Sequence, residues 1–146
     1  MKIAIGSDHA GLRLKKIIIE HFKDIEFDDV GTHTEESCDY SDFASQVAFK
    51  VRDHEVDQGI VICGSGIGVS ITANKVKGIR AALCFNGYMG EITKRHNNAN
   101  VLALGARIIG DEVAIETVKR WLGAEFEGGR HSRRIEKIAQ EEKSEL

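Results

Sequence analysis

Short runs of aliphatic and β-branched residues alternate along the chain with longer segments whose apolar residues recur every three or four positions. The short runs predict β-strands and the longer segments predict amphipathic helices. Strands are predicted at 2–6, 25–31, 59–63, 79–84 and 101–105. Helices are predicted at about 12–22, 42–53, 66–77, 87–96 and 111–122.

The order of these elements predicts the fold. The run GIVIC at 59–63 shows no polar alternation, as expected for a strand that is covered on both faces of a sheet. Regular alternation of strands and helices indicates parallel pairing, because right-handed crossovers pack the helices on the sheet. We therefore predict an α/β fold, a doubly wound (Rossmann-like) parallel five-stranded sheet in three α/β/α layers, as a single domain over 1–146.

The C-terminal segment departs from this pattern. After EGG at 127–129 comes RHSRRIEKIAQEEKSEL, a charged helical pattern with Ile135 and Ile138 as its only strongly apolar residues. A helix this polar gains little by packing on its own sheet. We predict a C-terminal helical arm over about 130–146 that reaches across a partner subunit, with a frayed terminal helix as the alternative.

Composition narrows the functional classes. A chain of 146 residues with 42% hydrophobic and 29% charged residues fits one globular domain, and its net charge of −3 argues against a general nucleic-acid binder. No apolar stretch approaches the roughly 18 residues of a membrane span, and the N-terminal run is too short for a signal peptide. Three cysteines without CxxC spacing suggest neither a disulfide framework nor a zinc site, so reduced thiols in the cytoplasm are expected.

The stretch VICGSGIGVS at 61–70 ends a predicted strand at the edge where doubly wound sheets bind ligands. Its glycines match neither G-x-G-x-x-G nor the P-loop pattern, and LCFNGY at 83–88 offers no carboxylate for a ribose. Nicotinamide and flavin dinucleotides are therefore not expected. Exposed N–H groups at a helix N-terminus could instead hold a phosphate or a reaction oxyanion, and a simple strand-to-helix turn is the alternative.

Cys63 lies beside this glycine loop. A free cysteine is most often an inert core residue, yet a thiol at the first turn of a helix meets the positive end of the helix dipole. That placement favours the thiolate, so Cys63 is a candidate base or nucleophile. Cys84 is predicted to be strand core and Cys38 to lie in a loop.

Histidines and arginines supply the other candidates. His9 and His96 lie among polar neighbours and suit proton transfer near neutral pH, whereas a metal site formed with Asp8 is not favoured because no H-x-x-x-H or comparable pair exists. Arg130 and Arg134 share one helix face and could fork around a phosphate, with solvated charge as the alternative. The remaining histidines are predicted to be surface or capping residues: His21, His33, His54 and His131.

Taken together, the motifs resemble the type B ribose-5-phosphate isomerases, a family that includes isomerases of galactose 6-phosphate and allose 6-phosphate. The likeness spans nearly the whole chain: IGSDHAG, DYSDFA, ICGSGIGVSITANK, GIRAAL, RHNNANVLALGARIIG and EGGRHSRRIEKI. It implies a doubly wound α/β fold, dimers that often pair into tetramers, and no metal or organic cofactor. It also implies interconversion of ribose 5-phosphate and ribulose 5-phosphate through an enediolate, in the pentose phosphate pathway.

The resemblance assigns catalytic roles to four residues. Cys63 matches the base that moves the proton between C2 and C1, and Ser65 matches a hydroxyl that shuttles protons between the two oxygens. His96 and Asp8 match groups linked to opening of the sugar ring.

The resemblance also implies the substrate-binding residues. Tyr40 and Asn97 match contacts to the sugar hydroxyls. The phosphate clamp corresponds to His9, Arg107, Arg130 and Arg134, and the anion hole to the loop of Gly64, Gly66, Ile67, Gly68, Val69 and Ser70.

One departure and two alternatives accompany the resemblance. Ser41 stands where the family usually has proline, next to the unchanged Tyr40. A six-carbon sugar phosphate is the alternative substrate, because pocket length is not visible in sequence. A non-catalytic sugar-phosphate sensor is the alternative outside enzymes, although such a protein would need the arginines but not the base.

Overall fold

The computed structural model describes residues 1–144 and contains a five-stranded sheet that is parallel throughout. The strand order is β2-β1-β3-β5-β4, so β2 lies on one side of β1, and on the other side β5 is inserted between β3 and the edge strand β4. The strands are β1 (Lys2–Ser7), β2 (Glu26–Gly31), β3 (Gln58–Cys63), β4 (Ala81–Leu83) and β5 (Val101–Gly105).

Helices connect the strands and cover both faces of the sheet. None of those within residues 1–144 has the length and apolarity that a membrane span requires. After a short 3₁₀ turn at His9–Gly11, the helices are α1 (Leu12–His21), α2 (Tyr40–Arg52), α3 (Ile67–Asn74), α4 (Gly87–Asn97), α5 (Asp111–Gly123) and α6 (Arg130–Ser144).

The buried residues divide into one core on each face of the sheet. On one face, Val47 of α2 and Val69 of α3 pack with Val61 of β3. On the other face, Ile18 of α1 and Trp121 of α5 join a second cluster with the alternate strand positions. Side chains of a strand point to opposite faces in turn, so the uninterrupted apolar strands fill both cores. The predicted doubly wound, three-layer α/β fold is confirmed.

The boundaries differ from the predicted ones where local geometry intervenes. The second helix begins at Tyr40 instead of residue 42, and α3 ends at Asn74 because Gly78, with φ of +86°, turns the chain toward β4. Strand β4 stops at Leu83, so Cys84 lies just beyond the strand, although it is buried as expected. Burial raises the pKa of the Cys84 thiol to about 12, which keeps it protonated at neutral pH.

Of the predicted C-terminal arm, about 130–146, the structure describes Arg130–Ser144 as a regular helix, α6, and residues 145–146 lie outside the described part of the chain. It contacts its own subunit at two points. His131 is buried at its start, and the Glu142 carboxylate accepts hydrogen bonds of 3.0 and 3.2 Å from the backbone N–H of Gly78 near its end. Between these points Ile138 is 48% exposed, so the apolar side of the helix is only partly covered by its own chain.

Candidate active site

An open cleft of about 550 Å³ lies at the carboxyl edge of the sheet, where β1, β3 and β5 end. Ligands of doubly wound sheets bind at this edge because the loops leave the strands there. The cleft brings together eight of the predicted site residues and two apolar side chains: Asp8, Tyr40, Cys63, Gly64, Ser65, Ile67, Gly68, Arg107, with Ile71 and Ile108.

Cys63 is the last residue of β3 and is only 4% exposed. Its Sγ accepts a hydrogen bond of 3.2 Å from the backbone N–H of Gly66, the residue that caps α3. Gly66 has φ of +79°, and a Cβ there would lie 2.9 Å from the carbonyl carbon of Leu104, so glycine is required at this turn. The turn therefore aims an N–H dipole at the sulfur, an arrangement that stabilises a thiolate.

The loop after Cys63 presents further hydrogen-bonding groups. The Ser65 Oγ accepts a hydrogen bond of 3.1 Å from the N–H of Ile67, which leaves the hydroxyl hydrogen free to be donated. A Cβ at Gly64 would lie 3.1 Å from the Arg107 Nη1, so the guanidinium rests against the loop. The first N–H groups of an α-helix lack partners within the helix, so the start of α3 can hold an anion beside the thiol.

Gly68 makes close contact with another predicted site residue, since a Cβ at this position would overlap the Tyr40 ring. We predict that Gly68→Ala displaces Tyr40 and raises KM for the sugar phosphate that the resemblance implies by about tenfold or more, because the phenol leaves its place in the cleft. Gly123→Ala is the matched control, because a Cβ there meets nothing within 4 Å. An unchanged KM in Gly68→Ala would show that Tyr40 does not contact the sugar.

Asp8 and His9 follow β1 at the same edge. Asp8 is buried, and its Oδ1 accepts a hydrogen bond of 3.1 Å from the N–H of Gly11, which fixes the carboxylate at the start of the 3₁₀ turn. The His9 Nδ1 accepts a hydrogen bond of 3.2 Å from the N–H of Cys38. That contact leaves the His9 Nε2 as the nitrogen able to donate to a ligand such as a phosphate.

The remaining predicted residues, His96, Asn97, Arg130 and Arg134, form a second group away from this cleft. Helix α4 starts at the carboxyl edge and runs back for 11 residues, so His96 and Asn97 at its end lie about 15 Å toward the amino edge of the sheet. Arg130 and Arg134 belong to the first turns of α6, which packs against α4. One chain therefore does not bring these four side chains to Cys63.

The second group contains a histidine for which the sequence prediction was wrong. His131, predicted to be a surface or capping residue, is only 5% exposed. Its ring stacks on that of His96 with centroids 4.1 Å apart and planes 13° apart. The two positive-φ residues Gly128 and Gly129 turn the chain so that the start of α6 meets the end of α4. The hydrophobic periodicity of the sequence could not predict that α6 packs back on α4, although the double glycine indicated a turn between them.

A carboxylate completes this second group. The Glu127 Oε1 lies 3.4 Å from the His131 Nε2 and 3.7 Å from the His96 Nε2, and its Oε2 accepts a hydrogen bond of 2.6 Å from the Arg95 Nε. The hydrogen bond from Arg95 lowers the pKa of Glu127, and burial lowers the pKa of His131, with the neighbouring His96 as the next cause. Sequence reasoning did not single out Glu127, whose place in EGGRH was the only signal.

Fold and cleft define a class: a doubly wound α/β protein with a thiol and an anion-binding helix N-terminus at the carboxyl edge of its sheet. The sequence profile of the Ribose/Galactose Isomerase family matches residues 3–138. The chain belongs to that family.

Individual relatives are similar over nearly their whole length. Ribose-5-phosphate isomerase B of Escherichia coli is 50% identical over 139 residues, which are 94% of this chain and 93% of that protein. The structure of Clostridium thermocellum ribose-5-phosphate isomerase B superposes with a TM-score of 0.98 at 53% identity and covers 100% of both chains. The Mycoplasma genitalium ribose-5-phosphate isomerase B with bound ribulose 5-phosphate has a TM-score of 0.93 at 48% identity, covering 97% of this chain and 96% of that one.

Proposed function

We propose that the protein is an aldose–ketose isomerase that interconverts D-ribose 5-phosphate and D-ribulose 5-phosphate through an enediolate. Membership of the family and the names of the similar proteins support this reaction, and one of those structures holds ribulose 5-phosphate. The observation in this chain that carries the proposal is the Cys63 Sγ beside the N–H of Gly66 in the cleft. A base next to preorganised N–H donors is what formation of an enediolate requires.

The chemistry assigns the reacting groups of the cleft. The Cys63 thiolate removes the hydrogen from C2 of the open-chain aldose and returns it to C1, so the carbonyl moves from C1 to C2. Ser65 carries a proton between the two oxygens: its hydroxyl gives its hydrogen to one oxygen and takes the hydrogen of the other on the lone pair that the N–H of Ile67 does not use. Within the predicted anion hole of Gly66–Ser70, the N–H groups of Gly66, Ile67 and Ser70 already donate to the Cys63 Sγ, the Ser65 Oγ and the Gly66 carbonyl oxygen. The N–H groups of Gly68 and Val69 are therefore the ones proposed to stabilise the negative charge that develops on oxygen. The thiol supplies the base and the N–H groups stabilise the negative charge, so the proposed reaction uses no metal or organic cofactor.

The rest of the site is proposed to come from a second copy of the chain, as a homodimer that could pair further into a tetramer. His96, Asn97, Arg130 and Arg134 lie too far from the cleft of their own chain, as described above. Apolar side chains also remain exposed around the cleft, as expected where a partner packs, and they are Tyr40 (43%), Ile67 (53%), Ile71 (56%) and Ile108 (57%). In a two-fold dimer each copy would complete the cleft of the other.

Within this proposal the phosphate is held far from Cys63. His9 and Arg107 would bind it from the cleft side, and Arg130 and Arg134 from the partner side, with Tyr40 and Asn97 on the sugar hydroxyls. Anchoring the phosphate fixes the distance of the reacting carbons from the base. The whole chain is proposed to act as one sugar-phosphate isomerase domain, cytoplasmic in keeping with its free thiols Cys38, Cys63 and Cys84.

Turnover of purified protein with sugar phosphates tests the proposal. We expect kcat/KM for ribose 5-phosphate to exceed that for allose 6-phosphate and galactose 6-phosphate by about tenfold or more, because an extra carbon displaces the reacting centre from Cys63. Ketose formation is measured directly, and binding of each substrate is measured in parallel. A preference for a six-carbon phosphate would favour the alternative substrate, and binding without turnover would favour the sensor.

A further inference from the structure

The His96–Glu127–His131 cluster contains two side chains to which neither the motifs nor the proposed reaction assigns a role, Glu127 and His131. The Glu127 Oε1 lies within 3.7 Å of both Nε2 atoms, and the two rings stack 4.1 Å apart. Arg95 holds the other carboxylate oxygen at 2.6 Å and also contacts Glu91 at 3.2 Å, so Glu127 is fixed from behind.

The geometry favours proton handling over metal binding. The ligand atoms of His96, Glu127 and His131 lie within 4.8 Å of one another. However, the stacked rings are 4.1 Å apart with planes that differ by only 13°, so the nitrogen lone pairs lie in two separate, nearly parallel planes and do not converge on a point about 2 Å from both nitrogens. Arg95 already occupies the carboxylate, which further disfavours a cation. The same arrangement suits an imidazole that must be held in one orientation and in its charged form.

We propose that Glu127 and His131 are positioning residues for His96 in the opening of the sugar ring, an inference that rests on the proposed function. The His96 imidazolium gives its proton to the ring oxygen of the furanose as the bond between that oxygen and C1 breaks. The hydroxyl on C1 loses its proton to the Asp8 carboxylate, and the C1=O bond of the open-chain aldose forms. Glu127 stabilises the imidazolium, and His131 fixes the plane of the ring.

The surrounding charges are consistent with this division of roles. His96 faces Glu127 and its partner Arg95 on the carboxylate side and His131 on the ring face, and the charges of Arg130 and Arg134 act on His131 from α6. Burial lowers the pKa of His131, with the neighbouring His96 and Arg130 as further causes, so the neutral form of His131 is favoured within the stack. Glu127 is the only carboxylate in the described residues that contacts both rings.

Two measurements on full-length Glu127→Gln separate ring opening from proton transfer. Ribose 5-phosphate is a furanose in solution and must be opened, whereas ribulose 5-phosphate has its O5 esterified and cannot close a five-membered ring. Exchange of a C1 hydrogen of ribulose 5-phosphate in D₂O therefore uses Cys63 but needs no ring opening. Glu125→Gln is the matched control, because it makes the same change from carboxylate to carboxamide at an exposed position two residues upstream.

We expect Glu127→Gln to lower kcat for ribose 5-phosphate ten- to hundredfold, while C1 exchange of ribulose 5-phosphate stays within threefold of the wild type. Loss of the carboxylate removes the negative charge that faces the His96 ring, so the defect should be confined to the measurement that requires ring opening. Equal losses in both measurements, or no loss in either, would overturn the proposal. Wild-type protein without turnover would instead refute the proposed function itself.

A pair of substitutions at His131 tests the stacking contact separately. His131→Phe keeps an aromatic face against His96, and His131→Asn removes it. We expect His131→Phe to retain ribose 5-phosphate turnover within about fivefold and His131→Asn to lose it to the same extent as Glu127→Gln. Equal losses in the two variants, with C1 exchange intact, would show that the stacked face of His131 does not position His96.

Discussion

Replacing Cys63 by alanine is expected to lower kcat by roughly two to four orders of magnitude, the usual contribution of a positioned base. Binding of the sugar phosphate should persist, because the N–H groups of the α3 N-terminus and the proposed phosphate clamp remain. The Sγ of Cys63 accepts a hydrogen bond from the N–H of Gly66, a contact that stabilises its charged form. Measuring kcat and the affinity for 5-phosphoribonate, an unreactive acyclic analogue, separates the two effects.

Cys84→Ala is the matched control for this substitution. Cys84 is also buried, but it lies in the other core of the sheet and its raised pKa of about 12 keeps it protonated. We expect Cys84→Ala to cost stability through a small cavity while kcat changes less than about threefold. A Cys63→Ala variant with wild-type kcat would show that the thiol only packs in the core and that another group is the base.

Two further measurements on Cys63 sharpen the result. Cys63→Ser should be nearly as slow as Cys63→Ala, because an unassisted hydroxyl is a far weaker base at neutral pH. A small alkylating reagent should abolish turnover at the rate at which it modifies Cys63, and bound sugar phosphate should slow that reaction. Inactivation that instead follows modification of Cys38, the most exposed of the three thiols, would contradict the assignment.

The fold was predictable because its physical signals are local. Strand β3 is apolar at every position from Gly59 to Cys63, and this marks a strand covered on both faces before any contact is known. Two glycines of the loop after it are required by geometry, Gly66 by its φ of +79° and Gly68 by its close approach to the Tyr40 ring. Local patterns of this kind predict where each strand ends, and the strand ends determine which side chains meet at the carboxyl edge.

The second group was less accessible to sequence reasoning because it depends on contacts between distant segments. The charges of α6 predicted an arm but gave no sign that His131, within that polar helix, is buried against His96. Glu127 gained its role only when the turn at Gly128–Gly129 brought it beside α4. Which residues join the second group therefore depends more on the direction in which each helix leaves its strand than on how close a residue lies to a motif in the sequence.

The separation of the two groups leads to the second large expected effect, which is recovery of activity on mixing two inactive variants. Cys63→Ala removes the proposed base from the cleft, and His96→Asn removes the proposed acid at the distant end of α4. If each active site takes Cys63 from one chain and His96 from another, a mixed dimer contains one site with both substitutions and one site with neither. Random pairing of equal amounts of the two chains should then restore about a quarter of wild-type sites.

The experiment mixes the two purified variants under conditions that allow subunits to exchange, and follows turnover of ribose 5-phosphate over time. Each variant alone should lack at least about 99% of the activity, the loss typical of a missing acid or base, so recovery to about a quarter is a large signal. Mixing Cys63→Ala with Cys63→Ser is the control, because no pairing of those chains restores a thiol. Mass spectrometry reports whether mixed dimers have formed. Mixed dimers without recovered turnover would mean that Cys63 and His96 act within one chain, and α4 would then have to swing His96 about 15 Å from its place at the amino edge of the sheet.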